Sequence, residues 1–369
     1  SRFSKNGKLR NVISSFGIGS PYPAEINALK QGKSGAMIVA GSAHRAIAGS
    51  EDDVGQVSFV AKILSGGELD KTFGEGGITL TDVPEFAKGA GQGFTDLDFQ
   101  KNGRIVATGA AQKCGGYYGC VPVVRYLRNG ELDKSFGSDG IVNLGGGAID
   151  GRAIAVQPNG RILIGASFER GDQRKLIMIR LLRNGVMDPS YGNEGIASPR
   201  MAQGALVRTK EPRKLPGRTA TDIRFLGSGK ILVSAAENYG FRTGAVLKLD
   251  DKGHLVRSFG RRGVSYLGTL QPAAIVRDRC GRITAAGSEI ADIGQETSYA
   301  AISRLNSDGS FDRTFGSDAP WYPFGRRTKS ALTSAVLTKG SRVMAAGWKD
   351  QAITGNDVAM VKFRAGRCR

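Results

Sequence analysis

The sequence predicts an all-β protein, a six-bladed β-propeller with four antiparallel strands in each blade. The first observation is a phrase of the form Leu/Phe-Asp-x-x-Phe-Gly, which reads most clearly at 69–74, 132–137 and 311–316. Weaker copies end at Phe16-Gly17, Tyr191-Gly192 and Phe259-Gly260. The second observation is that each period of 55 to 68 residues holds short strand-like segments separated by Gly-containing turns. Long periods of this kind are typical of circular or stacked repeat folds.

Repeat two shows the elements in their order along the chain. The four predicted strands are 77–80 (strand a), 95–99 (strand b), 104–109 (strand c) and 121–127 (strand d). Asn102-Gly103 lies between b and c and is expected to form a tight hairpin turn, because Asn-Gly accepts positive φ at both central positions. Asn129-Gly130 then turns the chain from strand d into the next phrase.

Six such repeats predict one domain, 1–369, with about 24 strands, since radial repetition of four-stranded sheets protects strand edges. The segment 1–16 is expected to close the ring, because 2–7 resembles the end of a strand d and 358–363 reads as a complete one. The predicted blades are approximately 17–66, 74–130, 137–185, 192–253, 260–309 and 316–369.

The repeat also resembles a known bacterial family. Asp-x-x-Phe-Gly, a strand, and then Gln-Pro-Asn-Gly-Arg-Ile-Leu-Ile-Gly at 157–165 are similar to the delta-60 repeat. The resemblance covers nearly the whole chain and implies a β-propeller-like domain of extracellular or envelope proteins, with no general activity. Two repeats depart from the pattern: repeat one has Arg10-Asn11, and repeat five has Val256 where Asp is usual. These blades are expected to be anchored differently.

The charge balance predicts an acidic partner. Lys and Arg total 52 against 33 Asp and Glu, a formal charge of +19. Such a surface attracts polyanions, here nucleic acid, an acidic polysaccharide, lipopolysaccharide or an acidic protein. The alternative is a basic surface that is simply solvated and has no selected partner. No apolar run approaches the ~18 residues of a membrane helix, so no transmembrane segment is expected.

Four cysteines, without Cys-x-x-Cys spacing, argue against a zinc or redox site. Their even number, and a chain that begins at Ser1 rather than Met, favour a periplasmic or extracellular protein. We predict a Cys114–Cys120 disulfide across one c–d loop. We predict a second between Cys280, in a b–c turn, and Cys368, after the last strand d.

One basic residue recurs in strand d of all six repeats, and most repeats carry another after the b–c turn. The strand-d residues are Lys62, Arg125, Arg180, Lys248, Arg304 and Lys362; the turn residues are Arg104, Arg161, Lys230, Arg282 and Arg342. A ring of cations could hold an anion. The favoured interpretation is structural: the Asp of the phrase, present as Asp70, Asp133, Asp188 and Asp312, pairs with the strand-d cation.

In a four-stranded meander the a–b and c–d loops leave from one end of the strands, which we call the loop end. The short b–c and d–a turns lie at the other, the turn end. Variable loops on a regular scaffold are where binding is usually placed. The predicted binding residues have aromatic and cationic side chains, which suit stacking and anion pairing. They are Arg200, Arg208, Lys210, Arg213, Lys214 and Arg218 in the insertion 198–221; Trp321, Tyr322, Phe324, Arg326 and Arg327 in the 320–329 loop; and Tyr117, Tyr118, Tyr239, Arg242 and Trp348 in c–d loops. The alternative is that the aromatics pack the loops onto their own blades.

The sequence shows little catalytic chemistry. Of two histidines, His254 lies in a d–a turn and His44 in the first c–d loop, and no nucleophile elbow, His-Glu-x-x-His or P-loop is present. No catalytic residue, metal or cofactor is predicted. The favoured function is a non-catalytic binding or scaffold propeller of an exported or envelope-associated assembly, with a protein or acidic-glycan partner. The alternatives are a hydrolase or lyase acting on a polyanionic carbohydrate, whose carboxylates would converge from different loops, and a nucleic-acid-binding protein.

Overall fold

The computed structural model describes residues 24–32, 34–46, 54–83, 92–114, 117–145, 148–170, 173–200, 218–237, 243–290, 297–315, 320–326, 328–338, 342–351 and 355–364. These residues form 22 β-strands in six sheets and one turn of 3₁₀ helix at Gly227–Gly229. The predicted fold class, an all-β six-bladed propeller, is confirmed.

The first three sheets each have four strands in sequence order. Sheet one contains β1 (Glu25–Gln31), β2 (Met37–Ala46), β3 (Val54–Ile63) and β4 (Ile78–Thr81). Sheet two contains β5 (Gln92–Phe99), β6 (Ile105–Cys114), β7 (Tyr117–Tyr126) and β8 (Ile141–Leu144). Sheet three contains β9 (Ala148–Val156), β10 (Ile162–Arg170), β11 (Gln173–Leu181) and β12 (Ile196–Ala197).

The last three sheets follow the same order along the chain. Sheet four contains β13 (Arg218–Phe225), β14 (Ile231–Glu237), β15 (Gly244–Leu249) and β16 (Val264–Tyr266). Sheet five contains β17 (Leu270–Arg277), β18 (Ile283–Ile290) and β19 (Ser298–Leu305), and sheet six contains β20 (Ser330–Thr338), β21 (Arg342–Gln351) and β22 (Gly355–Arg364).

Within the described ranges, sheets five and six have three strands, so the expectation of four in every blade is corrected. In sheet five the fourth strand is reduced to one antiparallel bridge between Ile302 and Trp321. Pro320 and Pro323 flank that bridge. Proline has no N–H to donate to a strand ladder, which keeps the pairing short.

The sheets also begin at other points than the predicted blades. Strand a of each repeat pairs with strand d of the preceding repeat: β4 adds to β3, β8 to β7 and β16 to β15. A sheet therefore consists of strands b, c and d of one repeat and strand a of the next. The physical reason is the Phe-Gly phrase, which turns the chain back along the outer side of strand d.

The b–c turn differs from the predicted tight turn with two positive φ angles. Gln100 accepts from the Gly103 N–H at 2.8 Å, while its own N–H donates to Arg104 at 2.9 Å. Only Gly103 has positive φ, 81°. This is a type I turn closed by a left-handed glycine, the three-residue hairpin loop. The same bonding pattern recurs in the d–a turn around Gly130, where Gly130 donates to Leu127 at 3.1 Å.

The chain divides into two compact units, residues 1–170 with 179–189, and residues 171–178 with 190–369. The first unit has a core between sheets one and two that includes Ile38, Phe94 and Tyr126. The second has one core that includes Leu232 and Ile275, and another that includes Ile302 and Val343. These cores explain why inward positions along the strands are Val, Ile, Leu and Ala.

The repeated phrase joins each sheet to the next turn. Its aromatic side chain is buried, as in Phe73, Phe136, Tyr191 and Phe259. The following glycine donates its N–H to a carbonyl in the next repeat; the pairs are Gly74 to Asn129 (2.6 Å), Gly137 to Asn184 (3.0 Å), Gly192 to Lys252 (3.0 Å) and Gly260 to Asp308 (2.6 Å). A Cβ on Gly130 would lie 2.8 Å from the Phe73 ring, so this contact also needs a glycine. The phrase recurs because it makes a structural contact.

The described residues include no helix whose length and hydrophobicity would let it span a membrane.

Candidate functional site

Each Asp of the phrase, Asp70, Asp133, Asp188 and Asp312, is paired with its strand-d cation at the turn end, which confirms the structural interpretation. Four strand-d cations form this ion pair: Lys62–Asp70 (2.8 Å), Arg125–Asp133 (2.8 Å), Arg180–Asp188 (2.8 Å) and Arg304–Asp312 (2.7 Å). In sheets two and three the cation after the b–c turn joins the same carboxylate, Arg104 to Asp133 at 2.6 Å and Arg161 to Asp188 at 3.0 Å. A free ring of positive charge is therefore absent from these sheets.

The Arg-Asp pair is held by several contacts. Arg125 and Asp133 have side chains only 4% and 5% exposed, and the Arg125 guanidinium lies 4.5 Å from the centre of the Phe136 ring. Burial alone would raise the pKa of Asp133, but hydrogen bonds from Ser135 and the charge of Arg125 outweigh it and lower the pKa. The Arg125–Asp133 pair at the turn end of sheet two is thus a structural element.

The loop end of sheet five carries the predicted 320–329 loop. Here β18 ends at Ile290, β19 begins at Ser298, and Thr269 precedes β17. The chain leaves its bridge with Ile302 at Trp321, and Tyr322 and Arg326 then contact Glu289 at this end before β20 begins. Sequence reasoning placed Tyr322 and Arg326 in this region but missed Glu289, on which both converge.

Glu289 is the centre of this cluster. Its side chain is 9% exposed, and it accepts hydrogen bonds from Tyr322 Oη, Thr269 Oγ1 and Arg326 Nη2, the last at 3.2 Å. The Arg326 guanidinium also lies 4.8 Å from the centre of the Tyr322 ring. A buried carboxylate needs such partners, and here two of the three come from the loop and one from the residue before β17. An acid at the end of a strand c was the available sequence signal.

Tyr322 remains protonated through the neutral range. Burial, the hydrogen bond to Glu289 and the negative charge of Glu289 together raise the pKa of Tyr322 to about 12. The hydroxyl is therefore a hydrogen-bond donor and holds the loop against β18. It cannot serve as a base at neutral pH, because its deprotonated form is scarcely populated.

Trp321 has a different environment from Tyr322. Its ring packs edge-on against Phe315 and Phe363, with centroids 5.9 and 5.6 Å apart, yet 39% of the residue is exposed. Phe315 is in turn covered by the Arg304 guanidinium at 4.5 Å. Phe324 packs against the core between sheets five and six. The loop aromatics thus anchor the loop, and Trp321 in addition presents part of its ring to solvent.

The other predicted site residues are placed as follows. Trp348 is half-buried in β21, opposite Ala331 and Val358, at the loop end of sheet six. Arg200 is exposed after β12. Arg208, Lys210, Arg213, Lys214, Tyr239, Arg242 and Arg327 lie outside the described residues, as do the side chains of Arg218, Tyr117 and Tyr118. These positions stay predictions.

Two predicted loop positions prove to be strand positions. His44 lies within β2, opposite Gln56 of β3, with the two Nε2 atoms 3.5 Å apart. Cys114 ends β6, where it is opposite Tyr117 of β7. Strands c and d are longer in these sheets than the sequence pattern suggested, because the strand pairing continues past the predicted ends. His254 lies in the d–a turn as expected, 3.4 Å from Asp250.

Cys120 and Cys280 are both disulfide-bonded. The side chain of Cys114 and the whole of Cys368 lie outside the described residues, so the Cys114–Cys120 and Cys280–Cys368 pairings stay predictions. Across the ranges that the structure describes, no three His, Cys, Asp or Glu residues are grouped as metal ligands.

Comparisons with known proteins concern the fold. A family model described as a domain of unknown function (DUF5122) β-propeller matches residues 100–136, 157–191 and 281–315. Each match contains a strand c, a strand d and the phrase that follows. The delta-60 repeat remains a resemblance. No curated protein matches the chain.

Several solved structures are similar at low identity. The PQQ-bound aldose sugar dehydrogenase of Streptomyces coelicolor is 11% identical, with 92% of this chain and 94% of that chain covered and a TM-score of 0.47. A PL25 ulvan lyase is 12% identical, with coverages of 86% and 78% and a TM-score of 0.46. The GH43 endo-arabinanase of Bacillus licheniformis is 8% identical, with coverages of 91% and 92% and a TM-score of 0.38. At these values nothing about activity carries over to this chain.

Proposed function

We propose that this protein is a non-catalytic binding propeller that recognises an acidic glycan at the 321–326 loop beside sheet five. The observation that carries the proposal is the pairing of Trp321 and Arg326 on one short loop. Trp321 exposes part of an aromatic ring that packs edge-on against Phe315 and Phe363, and the side chain of Arg326 is 57% exposed. An aromatic face suits stacking on a sugar ring, and a guanidinium suits a carboxylate or sulfate.

The loop is rigid enough to act as a platform. Tyr322 is tied to Glu289, Arg326 contacts both, and Trp321 exchanges two backbone hydrogen bonds with Ile302 at 2.9 and 2.7 Å. Ligand binding therefore requires little ordering of these side chains, which reduces its entropic cost. The net charge of +19 adds a general attraction for a polyanion.

The hydrogen bonds of Glu289 and the protonation of Tyr322 favour a binding role over the carbohydrate-enzyme alternative. Glu289 already accepts three hydrogen bonds, one of them from an arginine. Tyr322 retains its proton at neutral pH, because its pKa is raised to about 12. A lyase or glycosidase needs a base or an acid that can exchange a proton with substrate. Glu289 is occupied by its three donors, and Tyr322 is not available as a base at neutral pH.

We place the protein in an exported or envelope-associated assembly, as a periplasmic or extracellular component. The disulfide-bonded cysteines support that location, since disulfides persist in oxidising compartments. The basic insertion 198–221 is proposed to extend the glycan-binding surface or to bind a protein partner of the assembly.

Binding of the full chain to a linear polyuronate, with an uncharged glucan of similar length as control, tests the proposal. Calorimetry at several salt concentrations should show polyuronate binding that weakens as salt rises. Trp321→Ala and Arg326→Gln should each lower affinity about tenfold, a loss of about 1.4 kcal/mol. Lys134→Gln, an exposed cation at the turn end of sheet two, is the matched control and should have no effect.

Other outcomes would identify the alternatives. Equal loss of affinity in all three variants would mean diffuse attraction without a site and would reject the proposal. Shortening of the polyuronate, or absorbance from unsaturated products, would indicate an enzyme. Tighter binding to duplex DNA than to polyuronate at equal salt would indicate a nucleic-acid-binding protein.

A further inference from the structure

Sheet four lacks the carboxylate that neutralises the turn end of its neighbours. In sheet two, Asp133 receives Arg125 and Arg104, and its other oxygen accepts from the hydroxyl of Ser135 at 2.6 Å. The corresponding residues in sheet four are Val256, Lys248, Lys230 and Ser258, as the sequence spacing shows. A valine therefore stands where two cations and a serine would meet an Asp side chain.

The backbone of sheet four keeps the geometry of the intact sheets. Val256 donates its N–H to Lys248 at 2.8 Å, as Asp133 does to Arg125 at 2.9 Å. Phe259 then donates to Val256 at 3.0 Å, as Phe136 does to Asp133 at 3.0 Å. The fold thus keeps the backbone position at which other repeats carry the carboxylate, and only the side chain differs.

Lys248 also keeps the place of the strand-d arginine. Its Nζ donates to the carbonyl of Ser307 at 3.4 Å and lies 5.4 Å from the centre of the Phe259 ring. Arg125 makes the same two kinds of contact, to the carbonyl of Arg183 and to the Phe136 ring. Lys248 is therefore aimed at the vacated position and is not a freely moving surface lysine.

The phrase supplies no Asp to pair with the positive charge at this point. Partial burial lowers the pKa of Lys248, the positive charges of Lys230 and Arg277 lower it further, and Asp308 opposes them. Within the described residues, Lys230, Lys248 and Arg277 form no salt bridge. Three cations therefore share one end of sheets four and five, where the repeat elsewhere supplies an Asp.

We infer that the turn end of sheet four is an anion site, in which a single carboxylate or phosphate group of a ligand takes the place of the absent Asp carboxylate between Lys248 and Lys230. Ser258 offers a hydroxyl to the same group, and Arg277 adds long-range attraction. A compact oxyanion fits because the repeat builds this geometry for one carboxylate. The site lies at the opposite end of the strands from Glu289 and does not depend on the proposed glycan function.

Replacing Val256 by the residue of the other repeats tests the inference. Thermal unfolding of the full chain is measured with rising inorganic phosphate at constant ionic strength, balanced with sodium chloride. Phosphate should raise the Tm of the wild-type protein by about 2 °C, because a ligand of the native state stabilises it. Val256→Asp should have a higher Tm without phosphate and should lose most of the phosphate increment.

Three controls keep the result interpretable. Val256→Asn has nearly the shape of Asp without its charge and should keep the phosphate response. Lys230→Gln should reduce that response, and Lys252→Gln, an exposed lysine at the same end, should leave it unchanged. Titration with glucuronate in place of phosphate distinguishes a carboxylate ligand from a phosphate ligand, by which of the two gives the larger increment.

Two results would overturn the inference. The first is an equal phosphate increment in wild type, Val256→Asp and Lys230→Gln, which would show general screening of the basic surface. The second is no increment with either anion at any concentration tested. If Val256→Asp does not fold, ³¹P line broadening with wild type and Lys230→Gln decides the question, since only a site at Lys230 predicts a difference.

Discussion

The turn end and the loop end of the sheets use charged side chains in different ways. At the turn end of sheet two, Asp133 neutralises Arg125 and Arg104 in a cluster that recurs in sheet three. At the loop end of sheet five, Glu289 holds a tyrosine and an arginine in a cluster found at one place only in the described residues. Repetition of a polar cluster indicates a structural role. A unique cluster on the same scaffold is where function is better sought.

The largest expected effect distinguishes a buried repeated aromatic from an exposed one. Phe136→Ala removes a fully buried ring at the turn end and should lower the free energy of unfolding by about 4 kcal/mol. Trp321→Ala removes a partly exposed ring and should cost about 1 kcal/mol while weakening glycan binding. Chemical denaturation of both variants measures the difference. Equal stability losses would mean that Trp321 is a core residue.

Breaking the ion pair at the turn end should come next. Asp133→Ala leaves two arginines without their carboxylate, one of them almost fully buried, and should destabilise the protein by about 3 kcal/mol. Asp139→Asn changes an exposed acid in the same repeat and should have little effect. A loss below about 0.5 kcal/mol in the first variant would show that the pair is worth no more than a surface salt bridge.

The loop-end cluster should respond less in stability and more in titration. Glu289→Gln keeps an acceptor for Tyr322 but removes the negative charge, so the pKa of Tyr322 should fall from about 12 toward its ordinary value near 10. Stability should decrease by about 1–2 kcal/mol, since hydrogen bonds to a charged group are lost. Ultraviolet titration of tyrosine, with Tyr322→Phe to identify the signal, measures the shift.

In the wild type the raised pKa of Tyr322 has a defined pH consequence. Its protonated form is favoured in the folded state, so this contribution to stability is present below pH 10 and is lost as pH rises toward 12. Tyr322→Phe should lack that loss. Identical alkaline stability curves for the two proteins would contradict the Tyr322–Glu289 contact.

The smallest effect is expected from Asp70, the acid of the phrase that pairs with a lysine, Lys62. Hydrogen bonds from Lys62 and Thr72 lower the pKa of Asp70 to about 2, from an ordinary aspartate pKa of 3.8. Its contribution to stability is therefore present above pH 4 and is lost as pH falls toward 2. Asp70→Asn should lack this acid-sensitive part, worth about 1 kcal/mol or less. Unfolding curves between pH 5 and pH 2 measure it, and parallel curves would contradict the assignment.

The sequence predicted the repeat, the strand order and the turn-end ion pairs, because each depends on residues close in the chain. Asp133 lies only eight positions from Arg125, so its partner could be inferred from spacing alone. The loop-end cluster could not be predicted in the same way. Glu289 meets Tyr322 across 33 positions and Arg326 across 37.

By itself, the sequence determined that this is an all-β repeat propeller with a basic surface and short, uniform turns. Local periodicity and turn chemistry carry that information in every repeat. Only the tertiary structure decided that strand a completes the preceding sheet, that Glu289 anchors the 320–326 loop, and that Val256 leaves Lys248 without its carboxylate. These depend on which residues distant in the chain become neighbours, and a one-dimensional pattern does not contain those distances.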